Sequence, residues 1–187
     1  MLLGQPIRQI AYYVNDVREA AVRHSVLYGS GPFFAIDYPS LPVLHRGKDA
    51  FFEHSAAIGQ WGSIQVELMQ DNGREPSILS DLYEKGSGRT GIHHMAIIID
   101  DLEGTITSFK NSGFSEAMRV SIPHARLNVV FMDTVAKYGH FVELYEPVAA
   151  IVNIYDAVAK AAIGFDGRHP LYEAHVDPET FELHVKS

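Results

Sequence analysis

The chain has 187 residues, enough for one domain or for two small repeated modules that share a core, and too few for an array of independent domains. Its composition, 47% hydrophobic with ten Phe and nine Tyr, predicts a folded core, while 15 Lys and Arg against 23 Asp and Glu leave a net charge of -8 that argues against a nucleic-acid partner. With no cysteine, disulfides, thiolate zinc sites, iron–sulfur clusters and cysteine nucleophiles are excluded, so any metal must be held by nitrogen and oxygen. The opening Met-Leu-Leu-Gly-Gln-Pro-Ile-Arg-Gln lacks a basic segment followed by a long apolar stretch, and no run approaches the ~20 apolar residues that span a bilayer. A cytoplasmic protein without a membrane partner is expected.

The chain repeats itself. Gln9-Ile10-Ala11-Tyr12-Tyr13-Val14-Asn15-Asp16-Val17 aligns without gaps on His94-Met95-Ala96-Ile97-Ile98-Ile99-Asp100-Asp101-Leu102, each an apolar strand running into an acidic helix start. Asp16 and Asp101 stand where N-capping carboxylates belong. Val17 and Ala21 open the first helix and Gly29 stops it, with His24 at the place that Phe109 takes in the second copy. Phe33 to Ile36 and Phe51 to Ile58 predict the middle strands of copy one, and Val66-Glu67-Leu68 its closing strand.

Ile78, Leu79 and Leu82 predict a short linker helix beginning near Pro76. In copy two Leu102, Ile106 and Phe109 share a helical face that Gly113 ends, Arg126 to Met132 is the clearest middle strand, and Val142-Glu143-Leu144 repeats the closing strand letter for letter. The predicted fold is therefore α+β: two βαβββ modules curling mixed sheets around one shared metal-binding cleft. The boundaries are 7–69 for the first module, 70–91 for the linker, 92–148 for the second module, and 149–187 for an extra C-terminal helix and an irregular arm that packs on the body or on a partner subunit.

Strand side chains alternate faces, so Gln9 goes with Ala11 and Tyr13, Glu67 with Gln65 and Met69, His94 with Ala96 and Ile98, and Glu143 with Phe141 and Tyr145. His93 is expected to point the other way. If both modules curl around one cleft, the first and last strand of each supply Gln9, Glu67, His94 and Glu143 as its inward polar groups. Carboxylates in otherwise apolar strands are costly unless paired or metal-bound. One imidazole, one amide oxygen and two carboxylates suit one divalent ion of the Zn, Ni, Co, Mn or Mg kind. The bland alternative makes Glu67 and Glu143 exposed edge residues and His94 a hydrogen-bonded core histidine.

This pattern resembles the vicinal oxygen chelate superfamily, shared by glyoxalase I, methylmalonyl-CoA epimerase, extradiol dioxygenases and bleomycin-resistance proteins. The likeness covers about residues 7 to 148, and its most specific stretch is Gly91-Ile92-His93-His94-Met95-Ala96-Ile97-Ile98-Ile99-Asp100-Asp101-Leu102. The resemblance implies that His94, the second histidine of the pair, is a metal ligand, with Gln9, Glu67 and Glu143 as the other three. That set is similar to the ligands of some glyoxalase I enzymes, whereas the wording of the chain is closer to the epimerase-like branch.

The implied chemistry is a metal-dependent lyase or isomerase that removes a proton beside a carbonyl of a small molecule or thioester, through a metal-stabilised enediolate or enolate. Glu143 is the first choice of base, as a displaceable ligand in the glyoxalase manner, Glu67 the second, and Glu53 a remaining middle-strand candidate. An extradiol dioxygenase is disfavoured, because Gln9 takes a place where two histidines and one carboxylate are needed. A non-catalytic small-molecule binding or resistance protein is the alternative. The resemblance also implies a homodimer.

Gly86-Ser87-Gly88-Arg89-Thr90-Gly91 matches Gly-x-Gly-x-x-Gly but follows a helix and enters a strand, the reverse of a dinucleotide fingerprint, so it reads as a loop. His45, His54, His124 and His140 read as surface or hydrogen-bonded side chains, with His54 and Arg126 within possible reach of a substrate. Trp61, in a Gly59-Gln60-Trp61-Gly62 turn, reads as a packing residue.

Overall fold

Twelve strands form one mixed sheet in the computed structural model, which describes residues 4–186; Ser187 and the Met-Leu-Leu start, read above for a targeting segment, lie outside the described residues. The first copy runs β1 (Gln9–Tyr13), α1 (Val17–Tyr28), β2 (Phe33–Asp37), β3 (Leu41–His45), β4 (Lys48–Phe52), β5 (His54–Trp61) and β6 (Ile64–Asp71). After α2 (Ile78–Leu82) the second copy runs β7 (Gly91–Ile98), α3 (Leu102–Asn111), β8 (Glu116–Ile122), β9 (Leu127–Met132), α4 (Val135–Tyr138) and β10 (Phe141–Tyr145). Then come α5 (Ala149–Ala161), β11 (Leu171–Val176) and β12 (Leu183–Val185).

The strand order is β12-β11-β2-β5-β6-β1-β7-β10-β9-β8-β3-β4, a curled α+β sheet with the two copies meeting at the antiparallel β1–β7 pair. On either side of that seam the repeat is plain: β1 lies parallel to β6, and β7 parallel to β10. Copy one departs from βαβββ by an inserted hairpin. Residues 51 to 58, expected as one strand, split between β4 and β5, and β3 crosses over to pair with β8 of the second copy, Val43 opposite Val120. This hairpin ties the far edge of one module to the other and bends the sheet around its concave side.

The helices form where the caps place them. Asp16 accepts from the Arg18 and Glu19 amides, Asp101 accepts from that of Gly104, and Gly29 ends α1 in the left-handed conformation with its amide on the Ser25 carbonyl. Val17 and Ala21 bury one face of α1 against Phe33, Ala35, Ala57, Val66 and Leu68, while Leu102 and Ile106 bury α3 against Val130, Met132 and Leu144. His24 lies among the rings of Phe33, Tyr28 and Trp61. Trp61 thus has its packing role, at the end of β5; Gly59 lies inside that strand, and the turn begins at Gly62.

The C-terminal arm is not irregular. β11 adds to the edge of β2 in parallel, Leu171 opposite Phe33, and β12 pairs back on β11. An edge strand carries unpaired backbone donors and acceptors, and β11 satisfies those of β2. Arg18 locks the addition by bonding both Glu173 and Asp37, at 2.7 and 2.9 Å. The strand was hidden in the sequence because its pairing partner lies more than a hundred residues away.

Gly59 tests the packing beneath α1. A Cβ there would stand 2.7 Å from the fully buried ring of Phe33, so Gly59→Ala is expected to destabilise the protein by about 1–3 kcal/mol, the usual cost of overpacking, measured by urea unfolding.

Candidate active site

The four sequence-selected side chains stand on four adjacent strands, β6, β1, β7 and β10, and all are buried. Pairing sets them in two rows. In one, Glu67 and His94 flank Ala11; in the other, Gln9 and Glu143 flank Ala96. Ala11 and Ala96 occupy equivalent places in the two copies and are fully buried. Residues two strands apart are separated by roughly 10 Å of backbone. Only a small residue between them and a concave sheet let their tips converge.

They do converge. His94 Nε2 lies 3.2 Å from Glu143 Oε2 and 3.5 Å from Glu67 Oε2. Neither contact has the alignment of a hydrogen bond, and Nε2 has no such partner. Gln9 lines the same cavity as Glu67 and Glu143. Its Nε2 donates to Gln65 Oε1 at 2.5 Å, while its Oε1 is buried without a partner.

His93 does not point away from His94. Ala11 pairs with His94 and Tyr12 with Ile92, so His93 is the extra residue of a β-bulge, and strict alternation fails there. The two imidazoles meet, Nδ1 to Nδ1, at 2.9 Å, and both rings pack near Phe131. His93 Nε2 lies 3.1 Å from the carbonyl oxygen of Ile78, which can only accept, so that nitrogen carries the proton. Burial, reinforced by His94, pushes the His93 pKa down to about 3 and keeps its ring neutral. Its Nδ1 therefore accepts from His94 Nδ1–H, which leaves His94 Nε2 facing the Glu67 and Glu143 carboxylates.

Charge completes the picture. Burial opposes protonation of His94, but Glu143 and Glu67 outweigh it and push the pKa up to about 9. Burial likewise raises the Glu143 carboxyl above its usual range, partly offset by His94. The pair of acids thus attracts positive charge to Nε2, which a proton or a divalent cation can supply. Among the described residues no three His, Asp or Glu side chains, these included, are placed to hold a metal ion as they stand. Two orphaned donors, Gln9 Oε1 and His94 Nε2, beside two carboxylates nevertheless have the chemistry that fits a hard or borderline divalent ion.

Around this cluster is a cavity of about 520 Å³. His54, read from sequence as a surface or hydrogen-bonded side chain within reach of a substrate, is buried in its wall between the rings of Tyr38 and Phe52, with Nδ1 unpartnered. Tyr145 and Tyr155 share a hydroxyl–hydroxyl hydrogen bond at another wall. The tyrosine pair was not found from sequence. His124 also lines the cavity; His45 pairs with Asp81, and His140 Nδ1 contacts the Phe141 carbonyl. Glu53 is half-buried off the cavity wall, near Gly73, and Arg126 is exposed away from it.

The family model of the Glyoxalase/Bleomycin resistance protein/Dioxygenase superfamily matches residues 8–131. Among solved structures the chain is similar to a hypothetical protein from Bacillus halodurans C-125, with 20% identity and a TM-score of 0.56, over 76% of this chain and 94% of that one. It is also similar to methylmalonyl-CoA epimerase from Mycobacterium tuberculosis, with 16% identity and a TM-score of 0.54, over 81% and 96%. No curated protein matches the chain in sequence. At these identities the structural likeness is one of fold.

His54 gives a pH test of the cavity wall. Burial pushes its pKa from 6.5 down to about 4, so the unfolded chain binds a proton below pH 6.5 that the folded one refuses. The stability is complete above 6.5 and is lost as pH falls toward 4. Between pH 7 and 5 the wild type is expected to lose roughly 2 kcal/mol more than His54→Phe, in urea unfolding at both values.

Proposed function

The chain belongs to the Glyoxalase/Bleomycin resistance protein/Dioxygenase superfamily, and from that premise we propose a divalent-metal-dependent lyase or isomerase that removes a proton next to a carbonyl of a small molecule or thioester. The observation that carries this reading is the unpartnered His94 Nε2 held within 3.5 Å of the Glu67 and Glu143 carboxylates, which line one cavity together with Gln9 and its unpartnered Oε1. Gln9, Glu67, His94 and Glu143 would hold the ion. When bound it supplies positive charge for the substrate oxygen on which negative charge develops as the C–H proton leaves.

The rest is the work of the chain. His93, with its Nε2–H on Ile78, keeps the His94 ring in the orientation that presents Nε2. Glu143, buried and with its pKa raised, is the base that accepts the proton at a carboxylate oxygen, since a carboxylate shifted toward neutrality is better matched to a weak carbon acid. Glu67 is the second carboxylate, balancing charge and next in line as base. A single histidine among four donors disfavours an oxygen-activating centre.

Titration with Zn, Ni, Co, Mn and Mg is expected to show one bound ion per chain, lost in His94→Ala. The metal-loaded protein is expected to exchange the α-proton of a carbonyl probe, benzoin or an uncharged acyl thioester, with solvent deuterium. In Glu143→Gln, which keeps an oxygen donor, the metal should stay and exchange should slow by about 10²–10⁴-fold. Full exchange in Glu143→Gln, or catechol ring cleavage with oxygen uptake, overturns the assignment. Metal binding with no exchange of either probe favours the binding-protein alternative.

A homodimer belongs to the same reading. It is supported by the outer face of α1, where Val26 and Leu27 are 79% and 73% exposed beside Tyr28. Light scattering should give twice the 20.8 kDa chain mass, and a monomer at high micromolar concentration excludes a stable pair.

A further inference from the structure

We propose that the cavity takes an uncharged, mainly apolar carbonyl compound, and that the C-terminal segment of this chain forms the wall that selects it. This deepens the proton-abstraction reading and rests on it for the carbonyl. The apolar character rests on the walls alone.

Among the described residues the cavity lining contains no Lys and no Arg. Its formal charges are the two carboxylates, Glu67 and Glu143, and the group that balances them is His94 or the ion in its place. That balance leaves no positive charge for an anionic substrate. One guanidinium, Arg8, is exposed and sits over the ring of the lining residue Tyr155, 5.6 Å from its centroid, without joining the lining. A substrate carboxylate or phosphate would enter an apolar enclosure beside two acids, where an unpaired charge is disfavoured by desolvation and by like-charge repulsion. The other walls are Leu41, Met69, Met118, Leu127, Val129 and Phe131, suited to hydrocarbon or aromatic surface.

The remaining side is closed from outside the matched family segment, which ends at residue 131. Ile151, Ile154 and Tyr155 come from α5, and Val176, Pro178 and Phe181 from the arm. Phe181 has φ of 58°, a left-handed conformation that a bulky residue adopts only under constraint. The constraint is a tight loop: Asp177 Oδ1 accepts from the amides of Glu179 and Thr180, and its carbonyl accepts from that of Phe181. The result stacks the Phe181 ring on His124, centroids 5.7 Å apart, at the cavity wall. Backbone strain is thus spent on placing an aromatic ring against the ligand space.

Two fluorescent probes of nearly the same shape test this: N-phenyl-1-naphthylamine, which is neutral, and 8-anilinonaphthalene-1-sulfonate, which adds one negative charge. With the full-length protein the neutral probe is expected to bind at one site, at least tenfold tighter than the sulfonate. Ile154→Trp, which fills the cavity from α5, should weaken the neutral probe at least fivefold, while Tyr138→Trp on the exposed side of α4 should leave it unchanged. Sulfonate binding as tight as the neutral probe, displacement of the neutral probe by equimolar methylmalonyl-CoA, or a folded Ile154→Trp with unchanged affinity would each overturn the proposal. If Ile154→Trp does not fold, the wild-type comparison of the two probes decides. No readout needs metal or turnover, so a failure here is separable from a failure of the proposed chemistry.

Discussion

Two carboxylates and an imidazole are buried together in the concave face of one sheet, and the architecture around them follows from that constraint. An isolated buried charge costs on the order of several kcal/mol, so neither Glu67 nor Glu143 is tolerable in an apolar strand without a positive partner. His94 stands within 3.5 Å of both. It can do so because the antiparallel β1–β7 seam brings the two copies edge to edge, and because Ala11 and Ala96 leave room for side chains two strands apart to meet. The hydrogen-bonded chain from Ile78 through His93 then fixes which nitrogen of His94 faces the acids. The linker helix α2, which supplies that carbonyl, is part of the site's support as well as a connection.

Such a cluster is stable only out of water, and the walls that exclude water come from unrelated parts of the chain. The β3–β4 hairpin of the first copy closes one side by joining β8 of the second. The C-terminal helix and arm close another, held by strand addition to β2 and by the Arg18 pairs with Glu173 and Asp37. These pairs are partly exposed, and their own contribution to stability is small. Their geometric effect is larger, since they fix the arm's register against β2 and so the placement of the loop that carries Phe181.

Reading the chain for repeats recovered the βαβββ logic, both helix caps and the strands that carry Gln9, Glu67, His94 and Glu143. It missed the inserted hairpin, because a single non-strand residue, Glu53, separates β4 from β5 and no Gly or Pro marks the break. It placed His93 away from His94, because alternation assumes an unbroken strand, and the bulge at His93 breaks it. It also took the arm as irregular, since β11 is mixed in polarity and is ordered by an edge far away in the chain.

What the sequence by itself determined is local and periodic: where helices start and stop, which strand positions face the core, and that two copies of one pattern each carry a polar residue on their first and last strands. These follow from backbone geometry, capping and the spacing of apolar residues. Only the tertiary structure decided that Gln9, Glu67 and Glu143 line one cavity with His94 buried against the two carboxylates, that His93 orients His94, and that residues beyond the repeats close the cavity with apolar surface. Those facts depend on strand order, sheet curvature and contacts between distant segments. No local period encodes them, because they arise only when the copies pair and their edges are filled.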